Sequence, residues 1–210
     1  MQRAVKRVFD FCFALGCLFF ALPVILLAML VVHIKSPEDP VIFKQKRVGY
    51  KGKLFTIYKL RTMTNERDGE GNLLPDEKRL KKWGVIIRKT SIDELPQIFN
   101  ILLGQMSWIG PRPLLEKEMS VMTIEEQQTR QSMLPGITGW EAINEGLTDT
   151  REAMAQYDLY YVNNWNLAFD IKIFFLTIMI LFTGKRSDEE HRAPKVKKEE
   201  IKTEKIYSEK

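Results

Sequence analysis

The sequence predicts an α+β fold, mostly helical, with a small sheet and an N-terminal membrane helix. Three observations predict it. Phe11 to Val32 form an uncharged apolar segment. Two alternating segments near residue 50 read as a strand pair. Most of the remaining chain carries helical periodicity. With 210 residues, 45% of them apolar, the chain can build one domain with its own core. The composition divides it into an anchor helix at 1–35, a body with interfacial helices at 36–184, and a tail at 185–210.

The apolar segment "FCFALGCLFFALPVILLAMLVV" is long enough to cross a bilayer, which takes about 20 residues. Its apolar core is too long for a signal peptide, and no small-residue cleavage site follows. Pro23 interrupts it, removing one backbone hydrogen bond and crowding the preceding turn. Basic residues flank both ends: Arg3, Lys6 and Arg7 before, Lys35, Lys44, Lys46 and Arg47 after. With little charge asymmetry, the residues alone leave two readings open, a kinked spanning helix and a re-entrant one that bends at Pro23. Cys12 and Cys17 fit no metal or redox spacing and read as small buried hydrophobes. His33 and His191 have no ligand partners at useful spacing.

In the body, "VIFKQKRVG" and "KLFTIYKLRTM" alternate like two short strands joined across Gly49–Gly52. "NERDGEGNLLPD" is a polar loop. "DEKRLKKWGVIIRK" reads as one basic helix and "TIEEQQTRQ" as another. Leu95, Ile98, Phe99, Leu102 and Leu103 recur with helical spacing and stop at Gly104. Met154, Tyr157 and Tyr161 make a further helical stripe of core type. "IKIFFLTIMILF" (Ile171 to Phe182) is short for a span and fits a core or an interfacial helix. The tail after Gly184 is dense in mixed charge and predicts disorder.

The net charge of +5 is uneven: residues 1–60 carry ten Lys/Arg against three Asp/Glu. Such a stretch suits anionic lipids, nucleic acid or an anionic substrate. The cations cluster beside an apolar segment and no nucleic-acid motif is present, which favours anionic membrane lipids and excludes nucleic acid.

"TSIDELPQIFN" (Thr90 to Asn100) sets Asp93 and Glu94 at the start of the amphipathic helix. Ser91-x-x-Glu94 matches a capping box, a purely structural role. Pro96 argues for Asp93 as the N-cap instead, since Pro96 then falls third in the helix and costs no hydrogen bond. A carboxylate there would stay ionised, fit to act as nucleophile or metal ligand. Upstream stand Arg88 and Lys89. Downstream, Pro111 and Pro113 stiffen the loop that presents Arg112, a good arrangement for gripping phosphate. Carboxylates, arginines and a membrane anchor together suggest phosphoryl chemistry at a lipid surface. The alternative is a membrane-bound scaffold without catalysis, which explains the anchor but not Asp93, Glu94 and Arg112.

"DELPQIFNILLGQMSWIGPRP" resembles the signature of the monotopic phosphoglycosyl transferases, or bacterial sugar transferases, in their small PglC-like form. "VGYKGKLFTIYKLRTM", "PGITG" and "YDLYYVNN" fit too, so the match covers nearly all but the tail. Larger members add spanning helices and a further domain; the resemblance implies a minimal catalytic form here. It also implies the reaction: a phospho-sugar passes from a UDP-sugar to polyprenyl phosphate, releasing UMP, as the first membrane step of bacterial glycan assembly. Downstream glycosyltransferases would then extend the product. Asp93 would be the nucleophile and a Mg²⁺ ligand, and Glu94 its metal-organising or acid/base partner. Arg88, Arg112 and Lys59 would hold phosphate charge, with Arg61 a weaker candidate. The family's membrane helix is re-entrant and broken at a proline, which here falls on Pro23. That reading places both flanks and the catalytic domain on the cytoplasmic face of the bacterial inner membrane.

Two departures stand out. After "PGITG" the family commonly continues with a Gln and a closing Gly-Arg pair. Here "WEAINEG" (Trp140 to Gly146) carries acids and no Gln, so no family binding role is carried onto this loop. Leu22 precedes Pro23 where a serine is often found.

Overall fold

The computed structural model describes residues 1–144 and 150–183; the charged tail, Glu145 and Gly146 lie outside these. Helix α1, Gln2–Lys35, runs through Pro23 as one helical element. Its buried positions Lys6, Asp10, Ala14, Ala21, Ile25, Ala28 and Val32 recur every three, four or seven residues, one stripe along the helix. The opposite side exposes Phe9, Phe19, Phe20, Leu26, Leu27 and Leu30. By length and composition α1 could cross a membrane. Cys17 is half-buried, but Cys12 is exposed, not buried as the sequence suggested, because it points off the body.

Strands β1 (Ile42–Val48) and β2 (Leu54–Leu60) pair antiparallel, Ile42 opposite Leu60 and Val48 opposite Leu54. The 3₁₀ turn Tyr50–Gly52 joins them. The predicted basic helix divides into α2 (Asp76–Arg79) and α3 (Lys82–Lys89), since Leu80 adopts an extended backbone. Gly84 explains how tightly α3 sits on the loop after β2. A Cβ there would run into the Thr62 carbonyl oxygen.

Helix α4 (Gln97–Leu102) ends through Gly104, whose φ of +79° suits glycine. The predicted apolar stripe is only partly the buried one. Ile98 and Ile101 are buried, whereas Phe99 and Leu103 are exposed. Strand β3 (Ser107–Ile109) pairs parallel with β4 (Gly136–Thr138), Ser107 opposite Gly136. Gly110 and Gly136 let the two backbones approach so closely that a Cβ on either would strike the other segment. Between them lies α5 (Ile124–Arg130), capped by a Thr123–Glu126 capping box. Helices α6 (Trp140–Asn144), α7 (Arg151–Asn163) and α8 (Leu167–Thr183) complete the described fold.

Three apolar clusters join these elements. Ala14, Ala21 and Ile25 of α1 pack on Phe55, Ile57, Ile98, Ile101 and Met106. Ile109, Trp140, Ile143, Tyr157, Tyr161 and Ile173 form a second core under α8. Val48, Met119, Met122 and Ala155 form a third. Tyr157 and Tyr161 of the predicted stripe are thus core residues, while Met154 is only half-buried.

Two cations of the N-terminal flank turn inward. Lys6 Nζ donates to Asp170 Oδ2 at 2.7 Å, and Tyr161 donates to Asp170 Oδ1 at 2.6 Å. Arg7 donates to the Ile101 carbonyl at 2.6 Å. Asp10 accepts the Trp108 backbone N–H at 3.2 Å. Polar bonds thus fix the first three turns of α1 to the body.

Candidate active site

A cavity of about 430 Å³ opens between β2, the acidic turn, the β3–β4 pair, α6 and α8. Lys59, Glu94, Arg112 and Glu141 all line it. Arg47 and Asp158 line it too, so segments spread from residue 47 to residue 158 bring charged groups to one space.

The acids do not cap a helix. Asp93 and Glu94 lie in the 3₁₀ turn Ile92–Glu94, and Pro96 occupies the N-cap of α4 without a side-chain cap bond from any residue. Ser91 precedes the turn with φ 54°, ψ 17°, a left-handed conformation costly for serine. This bend reverses the chain between Arg88 and the acids; the Ser91 N–H donates to the Arg88 carbonyl at 3.0 Å.

Lys59 Nζ meets Glu94 Oε1 at 2.6 Å, both side chains about one-third exposed at 29% and 34%. Asp93 is only 9% exposed and stands behind the rim, outside the cavity lining. Burial, then the Glu94 charge, raise its carboxyl above the ordinary value, while Lys59 and Arg88 pull it down. The ionised N-cap expected from the sequence is therefore replaced by a partly desolvated carboxyl crowded by its neighbour. Arg88 also stays off the lining, its Nε donating to Thr62 Oγ1 at 2.8 Å. Arg61 is drawn elsewhere, to the Pro40 carbonyl at 2.6 Å and Asn65 at 2.9 Å.

Arg112 is held by its backbone. Its N–H donates to the Asp158 carboxylate at 3.2 Å, and its carbonyl accepts from Arg130 Nη2. Arg130 and Asp158 pair at 2.7 Å with side chains only 3% exposed. Burial pushes the Asp158 carboxyl up, and Arg130 opposes the push. The Arg112 side chain remains half-exposed, and Nη1 lies 3.6 Å from Oε2 of the buried Glu141.

Glu141, Asp158 and Arg130 are site residues that reasoning from the sequence did not select. Glu141 had a signal, since it opens the divergent Trp140–Gly146 loop. Asp158 had another, an acid set among Tyr157, Leu159 and Tyr161. Arg130 had none.

Glu94, paired with Lys59, lines a cavity that Arg112 also lines, and the desolvated Asp93 stands directly behind it. This site class can bind a phosphorylated substrate and offers a carboxylate oxygen to phosphorus. Among the described residues no group of three or more His, Cys, Asp or Glu forms a cage for a metal. Asp93 and Glu94 still fit Mg²⁺, which commonly takes one or two carboxylates and completes its shell with water and substrate phosphate.

The chain belongs to the bacterial sugar transferase family, whose model matches residues 1–184. The uncharacterized sugar transferase EpsL of Bacillus subtilis (strain 168) is 49% identical over 174 residues, 83% of this chain and 85% of that protein. The UDP-glucose:undecaprenyl-phosphate glucose-1-phosphate transferase of Escherichia coli (strain K12) is 39% identical over 194 residues, 88% of this chain but 42% of that protein. An Aeromonas hydrophila UDP-N-acetylgalactosamine-undecaprenyl-phosphate N-acetylgalactosaminephosphotransferase is 35% identical over 189 residues, 86% of this chain and 44% of that protein. The chain spans less than half the length of these last two relatives.

Proposed function

We propose that the chain transfers a sugar 1-phosphate from a UDP-sugar to a polyprenyl phosphate at a membrane surface. The observation that carries this reading is the acidic turn Asp93–Glu94 beside a cavity lined by Lys59 and Arg112. An ionised Asp93 oxygen attacks the sugar-bearing phosphorus, and the bond from that phosphorus to the bridging oxygen breaks. UMP leaves with the electron pair. An oxygen of the polyprenyl phosphate then attacks the same phosphorus, releases the aspartate and yields polyprenyl diphosphate-sugar.

Each chain residue has a task. Glu94, held by Lys59, raises the energy of the neighbouring carboxylate and sharpens it as a nucleophile. Arg112, on its clamped loop, offers a guanidinium to the oxygens that gain charge. Arg88 supports Asp93 electrostatically from behind. Asp93 and Glu94 would hold Mg²⁺, which when bound supplies positive charge against the diphosphate.

We read α1 as re-entrant, with the body on the cytoplasmic side. The packing of Ala14 and Ala21 before Pro23, and of Ile25 beyond it, on one cluster supports this. A helix crossing the bilayer would carry its middle away from the body, whereas here both halves rest on it.

The test is UMP release from a panel of UDP-sugars by the purified protein with undecaprenyl phosphate and Mg²⁺. A burst of at most one UMP per protein with UDP-sugar alone, and continued release only with both substrates, is expected for at least one sugar. A panel that yields no UMP at any protein concentration would sink the reading.

A further inference from the structure

The walls of the cavity are not uniform. Its charged groups, Arg47, Lys59, Glu94, Arg112, Glu141 and Asp158, come from β1, β2, the acidic turn, the loop after β3, α6 and α7. The side toward α8 is apolar, formed with Trp108, Ile137, Ile180 and Leu181. One stripe of α8 explains this side. Ile173 is fully buried, and one turn later Thr177 meets Thr138 of β4, hydroxyl to hydroxyl at 2.9 Å. Beyond that bond Ile180 stays half-buried against the second core and also lines the cavity, while Leu181 beside it lines the cavity from a largely exposed position. Leu181 is 66% exposed and the neighbouring Phe182 88%.

This wall continues toward the exposed apolar face of α1. Phe13 packs edge-on against both Trp108, centroids 5.1 Å apart, and Phe174 of α8, 5.9 Å apart. An amphiphile with an anionic head and a hydrocarbon tail matches such a division: cations at one end, an apolar track at the other. The ribose, diphosphate and sugar of a nucleotide-sugar are polar and gain little from Ile180 and Leu181; only its base has an apolar face, far shorter than an isoprenoid chain.

We propose that the last turns of α8, with Trp108 and Ile137, form the track for the acceptor's first isoprene units. Its phosphate would then point at Lys59 and Arg112. This rests on the phosphotransfer reading above and adds which residues select the acceptor.

The experiment separates the two halves of the reaction. Ile180→Gln and Leu181→Gln are compared with wild type and with Leu181→Met, which keeps an apolar side chain. Each is assayed for the UMP burst with UDP-sugar alone and for the KM of undecaprenyl phosphate. The track predicts an acceptor KM raised about tenfold in the glutamine variants, the size expected for losing apolar contact in a pocket. It also predicts burst amplitudes and UDP-sugar KM like those of wild type, and near-normal behaviour in Leu181→Met. An unchanged acceptor KM overturns the inference. So does a loss of burst equal to the loss in acceptor use, which would place the donor's sugar, or only packing, against this wall. A wild-type protein without any UMP burst would instead overturn the phosphotransfer reading itself.

Discussion

Replacing Asp158 by asparagine tests whether the Arg112 loop is held by a buried charge. Asp158 Oδ2 receives Arg130 Nη2 at 2.7 Å and Nε at 3.0 Å, and the carboxylate also receives the Arg112 N–H. Both side chains of the pair are 3% exposed, so the substitution leaves the Arg130 guanidinium buried without its counter-charge. Removing one partner of such a pair costs about 3–5 kcal/mol; the near-isosteric asparagine keeps an acceptor and belongs at about 3. For a chain of this size each kcal/mol moves the melting temperature by about 2–4 °C, giving a drop of about 6–12 °C. Thermal unfolding in detergent or nanodiscs reads this directly, and the UDP-sugar KM should rise as the loop loosens. Arg130→Met combined with Asp158→Leu should recover part of the lost stability, because no lone charge is then buried. A melting temperature within about 2 °C of wild type, with unchanged KM, would refute the clamp.

Two further predictions concern the acidic turn and its support. Because burial and Glu94 raise the Asp93 carboxyl, the acid limb of the rate–pH profile should lie above the ordinary aspartate range. Glu94→Gln removes a raising influence and should move that limb to lower pH, whereas Lys59→Met removes a lowering one and should move it up. Stopped assays across pH read both, and a shift in the opposite sense contradicts the electrostatics. Gly84→Ala should force α3 away from the Thr62 carbonyl, disturb the Arg88–Thr62 bond and reduce UMP release more than tenfold. Activity equal to wild type would show that α3 is not what positions Arg88.

The parts of the fold that were legible in the sequence are those written locally. β1 and β2 alternate, have seven residues each and are separated by five, so their pairing needs nothing distant. Helices α5 and α7 begin at Thr123 and Thr150, each accepting a backbone N–H in its own first turn. The β3–β4 pair was not legible. Its strands have three residues each, and Gly110 and Gly136 meet only because segments some 26 positions apart are folded together. The same distinction holds in the site. Asp93, Glu94, Lys59 and Arg112 carry motifs that point to them. The cap assigned to Asp93 failed because Ser91 takes a left-handed turn that helix rules alone do not foresee. Glu141 and Asp158 reach the cavity and Arg112 only through folding, since Arg112 lies 29 and 46 positions earlier in the chain.

The proposed transfer turns on a covalent bond from Asp93 to the transferred phosphorus. Incubating the protein with a UDP-sugar and Mg²⁺, without acceptor, and then measuring its intact and peptide masses detects that bond. A covalent route gives a mass increase of one phospho-sugar on the peptide containing Asp93, discharged by added undecaprenyl phosphate and absent in Asp93→Asn. Normal turnover by folded Asp93→Asn, or an adduct on a different residue, would contradict it.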